Sequence, residues 1–224
     1  MPVVPDDARL PDREAVLGQA IPFDRARWIS QLPDSTWWPD ALEECPQTGR
    51  WPRVDRRTVF SIARRADTAE GRRHLLVAAL LWGNGTKVRS VRRSARVFQN
   101  STRADLGARL YEALDVLREQ GAVAAYRAFN NDQHIPYLGP AFFTKVLYFA
   151  GHESAAAHHR PVILDSVVSR ALRATGTVEA GWPDNGWTTA QYGRYVAMVH
   201  DCAQARGVLP DQVEAALFSY GKRL

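Results

Sequence analysis

Two side chains of opposite charge stand out for what they could do together. Lys145 lies in a run, residues 141–150, that is apolar on nearly every face through Phe142, Phe143, Val146, Leu147 and Phe149. A helix of that composition is buried, and lysine is rarely buried without a partner or a task. An amine stripped of water becomes a nucleophile. Asp165 follows the apolar residues 161–164 and precedes a second amphipathic segment carrying Val167, Val168, Ala171 and Leu172. An acid in that position caps a helix. A carboxylate in a cleft poor in water also stabilises positive charge developing on a substrate. Each residue has a plainer reading as well. Lys145 can lay its stem on apolar surface and keep its amine in solvent or against a phosphate, and Asp165 can be a cap and nothing more.

The elements that must position this pair can be read from the flanking sequence. Gly139-Pro140 is a turn that opens the lysine helix, since proline at the first helical position forfeits only an N–H that had no partner there. The backbone around Leu138 and Gly139 thereby becomes an anion site at a helix N-terminus. Residues 69–82 form a helix that grows more apolar toward Gly83, and Gly83-Asn84-Gly85 reads as a turn. The next helix, 86–99, places Val88, Val91, Ala95 and Phe98 along one face and Arg89, Arg92, Arg93 and Arg96 largely on the other. Such a face is either solvated or bound to a polyanion. Further helices are predicted over 55–65, 102–119, 122–129, 188–206 and 210–220, and no convincing alternating strand is visible. The fold class is therefore all-α, as one domain or as two lobes sharing a cleft.

Residues 1–54 differ in composition. Prolines recur there too densely for long helices, and Trp28, Trp37, Trp38 and Trp51 supply large apolar surface. Short helices over 24–31 and 39–44, wrapped on the body by tryptophan anchors, are the expectation. This divides the chain into an N-terminal segment, 1–54, packed on a helical domain, 55–224.

A chain of 224 residues buries a sizeable core. Its net charge of +5 and pI near 9.5 are mild support for a polyanionic partner. Two cysteines, Cys45 and Cys202, suggest neither a disulfide framework nor a four-cysteine iron–sulfur cluster. No stretch reads as a signal peptide or reaches membrane-spanning length, so a cytoplasmic setting with no membrane is expected. His152, His158 and His159 crowd the loop before Asp165, but without a rigid element or a supporting cysteine they do not make a metal site.

Turn, lysine helix, loop, apolar residues, Asp165 and helix together resemble the helix-hairpin-helix DNA glycosylases, most closely the 8-oxoguanine glycosylase branch. Residues 75–98 are similar to that family's helix-loop-helix, whose loop inserts an asparagine into DNA; Asn84 takes that place, and Lys87 and the four arginines follow it. Residues 214–219 resemble the family's pocket helix, which implies that Glu214 reads the base and Phe218 stacks on it. The likeness spans roughly residues 70–221 in the right order. Two departures stand. The family's lysine directly follows the hairpin glycines, near the position of Ala141 here, whereas Lys145 lies one helical turn later on the same face. Glutamate at 214 replaces an expected amide.

The resemblance implies a monomeric enzyme that needs no cofactor and acts on double-stranded DNA. It would flip and excise an 8-oxoguanine-like purine, with Asp165 and Lys145 catalytic and an AP-lyase step following from a Schiff base on Lys145. Leu138 and Gly139 would hold phosphate. Asn84 as a plain turn residue, Phe218 as core, and Trp37 or Trp38 stacked on a nucleotide are readings left open by the residues. So are three rival functions: a defence enzyme acting on modified bases of foreign DNA, a hairpin protein that binds DNA without chemistry, and a basic protein that meets an acidic partner.

Overall fold

The computed structural model describes residues 3–5, 9–153 and 159–224. The main helices are α1 (Arg13–Leu17), α2 (Arg25–Ile29), α3 (Arg56–Ala63), α4 (Ala69–Asn84), α5 (Val88–Gln99) and α6 (Arg103–Gln120). They are followed by α7 (Ala122–Asn130), α8 (Pro140–Gly151), α9 (Ser166–Ala174), α10 (Thr189–Arg206) and α11 (Pro210–Gly221). Polar residues start most of them: the side chains of Asp12, Asp24, Asp55, Thr68, Thr102 and Asp165 each accept from a first-turn N–H that would otherwise lack a partner. Thr188 and Gln191 form a reciprocal capping box at α10. The fold is all-α in its bulk, as its sequence predicts.

One addition lies in the N-terminal segment. Strands β1 (Ile21–Pro22), β2 (Gln47–Thr48) and β3 (Trp51–Val54) form an antiparallel sheet in the order β1-β3-β2, with Ile21 opposite Val54 and Gln47 opposite Pro52. Strands of two to four residues are too short to show alternation. Trp28, Trp37 and Trp38 are buried in the same core as the helices, Trp37 edge-on to Phe98 with ring centroids 5.3 Å apart. They are core residues, which corrects the alternative in which Trp37 or Trp38 stacks on a nucleotide.

Helix α8 runs through the middle, packed against α3, α4, α6 and α7. Phe149 meets Phe60 and Trp82 edge-on at 5.2 and 5.6 Å, and Phe143 meets Tyr126 and Phe129 at 4.9 and 5.3 Å. Helices α9 and α11 approach so closely that a Cβ at Gly221 would lie 2.2 Å from the Val167 carbonyl oxygen, and only glycine fits there. Among the described residues no helix is long and apolar enough to cross a membrane.

Candidate active site

The lysine and the aspartate meet. Lys145 Nζ lies 3.3 Å from Asp165 Oδ2 and donates to the Ala141 carbonyl at 2.7 Å. The two carboxylate oxygens divide their work. Oδ1 accepts from the backbone N–H of Val167 and Val168 at 3.0 and 3.1 Å, capping α9, while Oδ2 faces the amine. The Lys145 side chain is 6% exposed and that of Asp165 15% exposed, so the pair sits just beneath the surface.

The approach to Lys145 is shaped from α4. A Cβ placed on Gly83 would lie 2.9 Å from the Phe142 ring and 3.0 Å from Lys145 Cδ, so this exposed glycine lets the lysine stem pass against α4. Phe142 is half-buried, its ring centroid 5.7 Å from Nζ.

Asp165 is fixed by the extended segment before it. An extended chain buried without strand neighbours must still satisfy its carbonyls, and here every one from Arg160 through Leu164 has a side-chain partner. His200 meets Arg160 O at 3.0 Å and His152 meets Pro161 O at 2.9 Å. The hydroxyls of Tyr192, Tyr195 and Thr144 reach the carbonyls of Val162, Ile163 and Leu164 at 3.1, 2.8 and 3.2 Å. Sequence reasoning did not find these anchors, because only the fold brings α8 and α10 to the segment.

The pocket assignment needs correction. Glu214 is fully buried and ion-paired with Arg56 at 2.8 Å, so its carboxylate presents no accessible edge to a base. The Arg56 guanidinium sits 5.0 Å from the ring centroids of both Trp82 and Tyr148, and its Nε donates to Gln19 Oε1 at 2.9 Å. Burial opposes the charge on Arg56, but Glu214 and Tyr148 more than offset it and hold the guanidinium protonated. Nothing in the spacing of residues 56 and 214 signals the pair. Phe218 is half-buried and lines a shallow hollow of 440 Å³ with Pro11, Ala15 and Val16 of the α1 region and with Lys222.

Asn84 is corrected too. It is the last residue of α4 rather than the tip of a turn, and it is buried. Its amide donates to Leu80 O at 2.6 Å and to Ser94 Oγ at 2.9 Å, tying α4 to α5, and the chain reverses at Gly85, where φ is 61°. Lys87, Arg89, Arg92, Arg93 and Arg96 are exposed, and the four arginines line a surface groove of 660 Å³ together with Val88 and Tyr137. Leu138 is buried and Gly139 is the exposed N-cap residue of α8.

The histidines serve structure. His152 is buried with Nε2 3.3 Å from Asp211, and the rings of His159 and His200 lie 4.5 Å apart. His158 lies outside the described residues. Among the described residues no three metal-ligating side chains cluster.

An ion pair of amine and acid, placed between a hairpin-led helix and a helix capped by that acid, is the kind of site at which a sugar carbon can be attacked and its cationic character stabilised. The family model described as "Putative 8-oxoguanine DNA glycosylase OGG-like protein" matches residues 14–218. The chain belongs to this OGG-like family, which supports a DNA glycosylase class and a DNA partner. No curated protein and no solved structure matches the chain.

Proposed function

We propose that this protein is a DNA glycosylase with an associated lyase step, excising an 8-oxoguanine-like purine flipped out of duplex DNA. The observation that carries the reading is the 3.3 Å approach of Lys145 to Asp165 beside the glycine of α4. Attack requires the neutral amine, so the ammonium proton is lost to solvent first and Asp165 stays ionised beside it. The Lys145 nitrogen then bonds to C1′ of the sugar, the bond from C1′ to the base nitrogen breaks, and its electron pair leaves with the base, which takes up the proton that the newly bonded nitrogen gives up. Asp165 stabilises the cationic sugar while this happens. Opening of the sugar ring gives a Schiff base; loss of a C2′ proton expels the 3′ phosphate and nicks the strand.

Flipping costs a few kcal/mol of stacking and pairing. The arginine face of α5 with Lys87, and the backbone at Leu138 and Gly139, supply the phosphate contacts that offset it. The purine class rests on the family description, since Glu214 is committed to Arg56. The protein acts as a monomer in this reading, in the cytoplasm and without a cofactor. Oligonucleotides carrying one lesion each, incubated with and without borohydride, test it. Base release with a trapped covalent adduct is expected from an 8-oxoguanine substrate. Release without an adduct reduces the assignment to a water-using glycosylase, and no release from any lesion ends it.

A further inference from the structure

Tyr137 adopts φ 67°, and it is the one non-glycine residue with positive φ among those described. Bulky side chains enter that region only where the surroundings enforce it. The enforcement is visible on either side: Ile135 and Leu138 are 1% and 2% exposed, and Leu138 N–H donates to Ile135 O at 3.1 Å, clamping the turn between two buried anchors. The strained residue does not use its ring for packing. Tyr137 is 47% exposed, and its neighbour across the groove, Val88, is 44% exposed. Around them stand Arg89, Arg92, Arg93 and Arg96, none ion-paired among the described residues, with the Arg96 guanidinium 5.4 Å from the Tyr137 ring centroid.

We propose that this groove is a base-stacking site for DNA, in which an unpaired or unstacked base lies on the ring of Tyr137 while the arginines hold the flanking phosphates. A presented aromatic face within a ring of unneutralised guanidinium groups fits a polyanion that also carries flat apolar rings. An acidic peptide would match the charge and leave the tyrosine face and Val88 unused. The inference deepens the glycosylase reading: excision requires a strand that has been opened, and Tyr137 would hold a base displaced during that opening. The hairpin backbone at Leu138 and Gly139 follows immediately, so stacking and phosphate contact share one short segment.

The test uses undamaged DNA, so its outcome is independent of whether any base is excised. Affinity is measured for a duplex with a single-nucleotide bulge and for heparin, at several salt concentrations. Tyr137→Asn keeps a residue that tolerates positive φ and removes the ring. It should weaken bulged-DNA binding roughly 5- to 150-fold, the range for losing one stacked base, and leave heparin binding unchanged. Tyr137→Phe should bind like the parent protein. Arg96→Gln should lower the slope of log affinity against log salt by about one. A second readout needs no variant: 2-aminopurine in the bulge should change its fluorescence on binding, as its stacking changes. Equal loss toward DNA and heparin in Tyr137→Asn, no loss at all, or unchanged 2-aminopurine emission on saturation with the native protein overturns the site.

Discussion

Gly83 of α4 faces the stem of Lys145 so closely that an added methyl group would lie 3.0 Å from Cδ and 3.2 Å from Cε. The Lys145 side chain is thus positioned partly by the absence of a side chain on a neighbouring helix. The position is exposed, so the glycine serves the lysine rather than the core.

Gly83→Ala separates aim from stability. Alanine in a helix gains roughly 0.5–1 kcal/mol over glycine, while Lys145 or Phe142 must shift by a few tenths of an ångström to admit it. The melting temperature should therefore hold or rise slightly. Single-turnover base release should fall on the order of tenfold, since small misplacements of reacting groups are costly. Unchanged release would show that Lys145 is not held in a reactive pose from this side.

Asp165→Asn keeps a competent helix cap, because asparagine caps as well as aspartate. It removes the charge that faces Lys145. Base release should drop by roughly a hundred- to a thousandfold, with DNA affinity within a few-fold of the parent. Asp165→Ala should add a stability loss of about 1 kcal/mol from the missing cap.

Lys145→Gln should abolish the borohydride-trapped adduct. An adduct in that variant places the nucleophile elsewhere.

Glu214→Ala discriminates a buried ion pair from a base reader. Removing the carboxylate leaves Arg56 charged and unpaired in the core, a loss of about 3–5 kcal/mol by analogy with other buried pairs. Urea unfolding should show it directly. A variant as stable as the parent but altered in the base it releases would restore the pocket assignment.

Acid sensitivity should come in two steps. Burial works to raise the Asp211 carboxyl, but His152, Arg13 and Tyr148 outweigh it and hold the group well below the usual carboxylate range. Burial also depresses His200, whose ring nitrogen meets the Arg160 carbonyl. For both groups the unfolded chain binds protons first, so stability rises with pH through each titration. The share from His200 should be level above neutrality and be lost below about pH 6.5 as unfolded histidine is protonated, and that from Asp211 should be lost below about pH 4. Burial raises the Glu214 carboxyl, whose share runs the opposite way. His200→Gln should remove the upper step alone. A difference in urea midpoint between the parent and His200→Gln that stays the same from pH 7 to pH 5 contradicts this account.

Much of the architecture was legible because helical periodicity and caps are local. Asp55, Thr68, Thr102, Asp165 and Thr188 each announce a helix within a few residues of themselves, and the ends of α4 and α8 were misplaced by no more than two residues. The small sheet was not legible, since a four-residue strand paired with two-residue partners has no period to detect. Asn84 was misread for a related reason. Its glycine neighbours suggest a turn, yet its amide finds partners at Leu80 and Ser94, and a satisfied amide extends the helix past the glycine.

By itself the sequence determined the helices, the turn at Leu138 and Gly139 that opens α8, and the candidacy of Lys145 and Asp165, because each depends on residues close along the chain. Only the tertiary structure decided that this amine and this acid meet, that Glu214 answers to Arg56, and that Tyr137 is displayed beside the arginines. Those relations join residues far apart in the chain, and their geometry follows from how helices pack, which no local spacing encodes.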